Sequence, residues 1–354
     1  MKESYPCLLL LNDIHISKDN IPAFRENWSE ALRICRKAGI RQIALGGDLF
    51  FSRAAQSLDV LLAVHDALEE ARSARIEVVM ANGNHDKVDQ EALRGYCHVF
   101  DTFPNVRVVD DYLSLTPDEH CAFVLHMMGY FPEDGSFAQR LERLRSEALV
   151  EGRMNYLYIH EGINGALAQP SEKELPTHIF ADFDCVLVGH YHNRCVVAPN
   201  IEYIGASRQH NFGEDDRKGY TLLYSDGKRE FVPNGVNERF RTLDIAADQI
   251  GTRLADLLDE IRAADGARTR VRIHGTPAQT ASIRREQILA AGAAKVEIVE
   301  NDDAHPEASP AELLEKFDER KIRDSYRCFC AEKRIADVEL GLYYLKNDIR
   351  TCGN

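Results

Sequence analysis

The chain has 354 residues, 44% of them hydrophobic, the composition of an ordinary globular protein with room for one large domain and a smaller one. Its formal net charge of −14 argues against a nucleic-acid grip built on overall basicity, so a phosphate-backbone partner needs a local basic patch, bridging metals or a second subunit. Nine cysteines without a CxxC pair argue against a disulfide framework or a thiolate zinc site, and the lack of a signal peptide or membrane-length apolar run predicts a cytoplasmic protein.

Cys7 to Leu11 is an unbroken apolar run, the pattern of a strand buried on both faces, and it ends in Asn12-Asp13-Ile14-His15. Pro22 opens a helical segment through Lys37, with Phe24, Trp28, Leu32 and Cys35 at helical spacing and Gly39 as the stop. A second strand, Arg41 to Leu45, runs into Gly46-Gly47-Asp48-Leu49-Phe50. Ser57 caps a helix carrying Leu58, Leu61, Leu62, Val64 and Leu68, and a third strand, Ile76 to Met80, ends in Asn82-Gly83-Asn84-His85-Asp86. Strands alternating with helices predict parallel pairing with right-handed crossovers.

Next come strands over Val106 to Val109 and Ala122 to His126, then a charged helix over Phe137 to Val150. Tyr156 to Ile159 ends in His160, Cys185 to Val188 ends in Gly189-His190-Tyr191-His192, and Ile201 to Ile204 leads into Gly205-Ala206-Ser207. Tyr220 to Tyr224 and Arg229 to Val232 flank Asp226-Gly227, a hairpin signal. Past residue 236 a helix over Ala246 to Ala264, and strands Arg270 to Ile273 and Lys295 to Val299 around a helix Gln279 to Leu289, form a small α+β unit. An acidic connector, Glu300 to Pro310, precedes one or two terminal helices through Leu345.

Five strand ends therefore present Asp, Asn or His: Asp13 and His15, Asp48, Asn84 and His85, His160, and His190 with His192. The carboxyl ends of strands are where α/β proteins hold ligands. Carboxylate, amide oxygen and imidazole without thiolate suit hard and borderline divalent cations.

With the blocks Asp13-Ile14-His15, Gly47-Asp48, Gly83-Asn84-His85-Asp86, His160 and Gly189-His190-Tyr191-His192, roughly the first 200 residues resemble the calcineurin-like metallophosphoesterase superfamily. The resemblance implies an α/β fold, a four-layer α/β/β/α sandwich with two divalent metals at the carboxyl edges of its sheets. It assigns Asp13, His15, Asp48 and His192 to one metal and Asp48, Asn84, His160 and His190 to the other, with Asp48 as the bridge. Manganese is the metal expected, with magnesium, iron(II) or zinc as alternatives. His85 would contact the phosphate and protonate the leaving oxygen, and Asp86 would orient it, making these two the catalytic pair.

The text after Asp48, Leu49-Phe50-Phe51-Ser52-Arg53, lacks the Asp-Arg-Gly of the superfamily's protein phosphatases. Gly47-Asp48-Leu49-Phe50 is similar instead to the SbcD-like DNA-repair nucleases, as are Tyr203-Ile204-Gly205-Ala206-Ser207, Phe212-Gly213-Glu214 and Lys218-Gly219-Tyr220. Ile204 departs from that family's proline, and Phe51 stands where its members commonly carry His or Asp. This resemblance implies a nuclease domain over 1–235, a small α+β capping domain over 236–305, and C-terminal helices over 306–354 that bind an SbcC-type ABC ATPase. The chain would act on DNA as a homodimer, without a membrane partner. Arg208, Arg217 and Lys218, clustered after the last metal block, are the candidate substrate-binding patch. Lys316, Arg320, Lys321, Arg323 and Arg327, with Leu313, Leu314, Phe317 and Ile322, mark a terminal face able to dock a partner. The expected function is hydrolysis of DNA phosphodiesters, as an exonuclease or endonuclease subunit in repair or recombination, with water activated by two metals as nucleophile. A phosphodiesterase of small substrates such as cyclic nucleotides is the alternative, and a non-catalytic scaffold on the same fold is a third reading.

Overall fold

The computed structural model describes residues 4–167, 171, 173–263, 266–281 and 283–300, together with Cys330 and Val338. It begins with β1 (Pro6–Leu11), α1 (Ile21–Ala38), β2 (Gln42–Leu45), α2 (Leu58–Ser73), β3 (Glu77–Ala81) and β4 (Val106–Val109). These four strands pair in parallel, with Leu9 opposite Ile43, Ile43 opposite Val78, and Val78 opposite Val106. Helix α1 ends where Gly39 enters the left-handed region at φ 74°, its N–H closing on the Cys35 carbonyl. Ser57 caps α2 by accepting from the Val60 N–H.

A second series follows: β5 (Tyr112–Leu115), β6 (Phe123–Met128), α3 (Phe137–Ala148), β7 (Met154–Ile159), β8 (Cys185–Val188), β9 (Cys195–Ala198) and β10 (Ile201–Tyr203). Strands β11 (Gly219–Tyr224) and β12 (Arg229–Pro233) form the hairpin expected around Asp226-Gly227 and return to the first sheet, β11 antiparallel to β1. The two six-stranded sheets have the orders β12-β11-β1-β2-β3-β4 and β5-β6-β7-β8-β10-β9.

The apolar runs are continuous because both faces of each sheet are covered. In β1, Leu9 and Leu11 pack with Phe24, Trp28, Val64 and Leu68 of α1 and α2. Leu8 and Leu10 point the other way and join Leu125, Tyr158 and Leu187 between the sheets. On the far side of the second sheet Leu157, Ile159, Val186 and Val188 pack with Phe137, Leu141 and Leu144 of α3. The period-2 alternation of strands thus divides one apolar sequence between two cores, giving the layers α/β/β/α.

Beyond these sheets lie β13 (Phe240–Ala246), α4 (Ile250–Arg262), β14 (Arg268–Gly275), α5 (Pro277–Thr280), α6 (Arg285–Ala290) and β15 (Lys295–Glu300), whose strands form a sheet in the order β13-β14-β15. The expected helix over Gln279 to Leu289 is two short ones. Thr280 turns its hydroxyl back onto the Thr276 and Pro277 carbonyls, and Arg284 is extended at φ −87°, ψ 90°, before α6 begins. The described residues fall into two compact units, one of 4–245, 249–272 and 284–297, the other of 246–248, 273–283 and those from 298 on. The site below belongs wholly to the first. The terminal docking face expected over 306–354, with its Lys316 to Arg327 charges, lies outside the described residues. Among the described residues no helix is long and apolar enough to cross a membrane, and the seven described cysteines are free.

Candidate metal centre

Asp13 and His15 follow β1, Asp48 follows β2, Asn84 and His85 follow β3, His160 follows β7, and His190 and His192 follow β8. The tips of both sheets thus converge. Asp13, Asp48 and His160 are buried at 0%, 2% and 0% exposure, so water does little to relieve the two carboxylates of each other's charge. The loops are strained to bring these groups together. Asp13, His15, Asp48 and His190, at φ 51°, 49°, 52° and 86°, are four of the five described non-glycine residues with positive φ. Such a conformation costs roughly 1–3 kcal/mol per residue and persists where surrounding structure enforces it. Gly47, at φ 108°, is needed for a second reason: a Cβ there would lie 2.5 Å from His160 Nδ1.

His15 Nε2 stands 3.5 Å from Asp48 Oδ2 and 3.9 Å from Asp13 Oδ1. His160 Nε2 stands 3.2 Å from Asp48 Oδ2 and 3.8 Å from Asp13 Oδ1, and His192 Nε2 lies 3.9 Å from Asp13 Oδ1. Asp13, His15 and His192 form one group able to hold an ion, Asp13, Asp48 and His160 another, and His15, Asp48 and His85 a third, with donor atoms inside 4.8 Å of one another. His190 belongs to none of these groups; its ring stands edge-on to His160 with centroids 5.5 Å apart. Asn84 sets its amide group against the Asp48 carboxylate, 3.2 and 3.3 Å from the two oxygens, with the Arg53 guanidinium on its other side. Buried carboxylates and imidazoles gathered with an amide and no thiolate form a donor set that fits divalent metal.

Three of these imidazoles are also held from behind. The Nδ1 atoms of His15, His160 and His192 face the Phe50 carbonyl at 3.3 Å, the Gly46 carbonyl at 3.0 Å and Glu214 Oε1 at 2.8 Å. An oxygen that only accepts places the proton on Nδ1 and leaves the Nε2 lone pair for the centre. Burial pulls His15 and His190 down to about 4, so both are neutral at physiological pH. For His160 burial works in the same direction, but Asp48 and Asp13 outweigh it and raise the group to about 9. His192 is raised likewise, the Glu214 hydrogen bond and Asp13 overcoming burial. Metal taking the place of these protons would release them, which couples affinity to pH.

The pattern of the family described as calcineurin-like phosphoesterase matches residues 8–194, more than half of the chain and every one of these loops. The chain belongs to the calcineurin-like phosphoesterase family. Among its relatives is "Putative phosphoesterase 078R" of Invertebrate iridescent virus 3, 26% identical over 251 residues that make up 69% of each chain. "Putative phosphoesterase 244L" of Invertebrate iridescent virus 6 is 22% identical over 258 residues, 70% of this chain and 89% of that one. Solved structures with some likeness include a dimetal phosphatase from Danio rerio, with 11% identity and a TM-score of 0.44 over 62% of this chain and 93% of that one. Another is the nuclease MPE of Pseudomonas putida, with 17% identity and a TM-score of 0.29 over 64% and 87%. Those two scores are too low to bear on the activity of this phosphoesterase.

The remaining expected site residues of this calcineurin-like phosphoesterase divide. His85 is at the centre, its ring 4.8 Å from that of His15 and its backbone N–H donating to Asp48 Oδ1 at 2.8 Å. Its Nδ1 lies 2.6 Å from the Phe51 carbonyl, so Phe51 orients it. Among the described residues no hydrogen bond joins that ring, whose Nδ1 is taken by Phe51, to Asp86. Fully buried, its carboxylate accepts from the N–H groups of Gly83 at 2.7 Å, Phe50 at 2.9 Å and Leu49 at 3.3 Å, tying together the loops after β2 and β3. These contacts are those of a group that holds the two loops in place.

The basic trio does not form an open patch. Arg208 is 5% exposed and donates to the Ile14 carbonyl. Lys218 is 3% exposed, its Nζ donating to the His192 carbonyl, Asn193 Oδ1 and Asp215 Oδ1. Arg217 alone faces solvent, near the Phe231 ring. Sequence reasoning also passed over His210, whose ring lies 5.2 Å from His15 and 5.0 Å from His192 and whose Nε2 meets the Asp13 carbonyl at 2.7 Å. The only signal was its place three residues beyond Gly205-Ala206-Ser207.

Proposed function

We propose that this phosphoesterase hydrolyses phosphodiesters of DNA, with the Asp13 to His192 donor set as its metal centre. The observation that favours a diester over a monoester is that, among the described residues, the centre borders two separate cavities, of about 460 and 450 Å³, which share no lining residue. One is bounded by His15 and His210, the other by His190, His192 and Glu214. A phosphate monoester carries one organic arm, whereas a diester carries two that need separate room; each cavity is in the size range of a ligand site.

When bound, the two cations activate water as the nucleophile and offset the charge of the phosphate oxygens. The protein's own part is to fix the donors and to move a proton. A carbonyl only accepts, so His85 Nδ1 carries hydrogen toward Phe51, and Nε2 is the nitrogen left for the leaving oxygen. His85 can act as the acid there only while it holds a proton on both nitrogens.

DNA as substrate draws support from the SbcD-like blocks over 203–220, including Glu214, which stands directly behind His192. With −14 net charge and only Arg217 of the trio exposed, the grip on a duplex has to come from elsewhere. An SbcC-type ABC ATPase bound to a homodimer of this chain would supply it. A manganese-dependent nuclease assay on single-stranded, double-stranded and hairpin DNA, with and without that ATPase, tests the reading. Degradation of linear DNA is expected; no cleavage with manganese, magnesium, iron or zinc would overturn it. A small-substrate phosphodiesterase is the second reading, favoured by the burial of Arg208 and Lys218. Turnover of cyclic nucleotides far faster than DNA in the same assay would assign it.

A further inference from the structure

We infer that the cavity on the His15 side is a nucleobase seat, in which the base of the nucleoside next to the scissile phosphate stacks on Phe51 and meets a hydrogen-bond donor on Arg208. This rests on the diester reading above and adds what one arm of the diester must be.

Phe51 is 56% exposed, although Leu49 and Phe50 before it are buried at 3% and 0%. Its ring stands at the lip of the centre, 6.0 Å from the His15 ring and 6.2 Å from that of His85. The backbone beneath it is pinned on both sides. Its N–H donates to the Ile16 carbonyl at 3.0 Å and its carbonyl holds His85 Nδ1. The phenyl is therefore a fixed apolar face in water beside a polar site, as a stacking platform has to be.

Arg208 lines the same cavity. One terminal nitrogen donates to the Ile14 carbonyl at 3.0 Å, but its Nε–H, inside a residue only 5% exposed, has no hydrogen-bond partner among the described residues. A buried donor left unpaired is unfavourable, and a turn of the guanidinium toward the cavity would let an acceptor brought by a ligand remove the penalty. Across the cavity Arg268 lies over the Phe240 ring at 5.4 Å, a second flat surface. Asp19 and Glu238 also line the space. A second phosphate would meet those carboxylates, whereas an uncharged heterocycle with ring acceptors does not. The volume of about 460 Å³ has room for one nucleoside and not for a stacked duplex.

Trp28 is the chain's single tryptophan and is 3% exposed, so Phe51→Trp creates the one solvent-facing indole. In magnesium-containing buffer, adenosine monophosphate should quench that emission saturably, while ribose 5-phosphate and inorganic phosphate should not. Equal quenching by all three, or none by the nucleotide, overturns the seat. This readout does not depend on turnover, so it decides the matter even if no diester is hydrolysed and the function above falls. Phe51→Ala should lower kcat/KM for a dinucleotide by about 5- to 150-fold, mainly through KM, with no change for the analogue lacking the base on that arm. An equal loss on both substrates would also overturn it.

Discussion

Glu214 Oε1 lies 2.8 Å from Nδ1 of His192, behind the ring whose Nε2 faces Asp13. A carboxylate behind a metal-facing imidazole fixes its tautomer and makes it a better donor. Glu214 also accepts from the His210 N–H and from Asn211 Nδ2, so a truncation would disturb the loop as well as the ring. Glu214→Gln keeps an acceptor and removes the charge. It should weaken divalent-metal affinity by about 10- to 100-fold with the fold intact, measured by chelator competition at neutral pH. Unchanged affinity would reduce Glu214 to a loop anchor.

Asp48 reaches donors on both sides, 3.5 Å from His15 Nε2 and 3.2 Å from His160 Nε2. Burial alone would push its carboxyl up, but His160 and His15 outweigh burial and hold it well below the usual carboxylate range, so it keeps its charge. If it bridges two ions, Asp48→Asn should lower the content of both together and abolish hydrolysis. Elemental analysis of protein purified without chelator checks this, and one ion retained per chain would contradict a bridge.

The convergence of polar residues on the strand ends was legible because strands covered on both faces read as pure apolar runs, so the candidate donors at their ends stand out: Leu8 to Leu11 gives way abruptly to Asn12 and Asp13. Edge strands lack that contrast. In β9, Val196 is 71% exposed, and β5 is only partly covered, so neither pattern announced a strand. Roles that depend on tertiary closure were hidden as well. His210 meets the Asp13 carbonyl across 197 positions of sequence, and Lys218, adjacent in sequence to exposed Arg217, turns inward to the His192 carbonyl. Nearness in sequence showed that three cations were close, and only packing decided which of them reached solvent.

His85 and Asp86 are neighbours in sequence with different work, and two substitutions separate them. His85 lies inside a possible ligand group with His15 and Asp48, so metal content is the decisive measurement. His85→Gln should leave metal content and stability unchanged while hydrolysis falls about 10²- to 10⁴-fold, the usual weight of a general acid. Loss of metal would make His85 a ligand instead.

Asp86→Ala should behave differently, because it strands the buried N–H groups of Gly83, Phe50 and Leu49. A loss of about 3 kcal/mol in denaturant stability is expected, with activity recovering in proportion to the folded fraction. Full stability with no activity would return Asp86 to a catalytic role.

Lys87 offers a test of the protein's electrostatics through stability. It is fully buried, its Nζ donating to the Tyr130 carbonyl and lying 3.8 Å over the Phe131 ring. Burial pulls it down from 10.5 to about 8, although Glu161 pulls the other way. Below pH 8 both folded and unfolded chains hold the proton, and the folded state bears the whole cost of the buried charge. Between about 8 and 10.5 the unfolded chain keeps a proton that the folded chain has released, so this residue makes stability rise with pH. The increment is up to about 3 kcal/mol. Urea denaturation of wild type and Lys87→Met from pH 7.5 to 10 should therefore show the difference between them shifting toward the wild type as pH increases. A difference that stays flat across that window would mean that Lys87 keeps its ordinary proton affinity inside the fold.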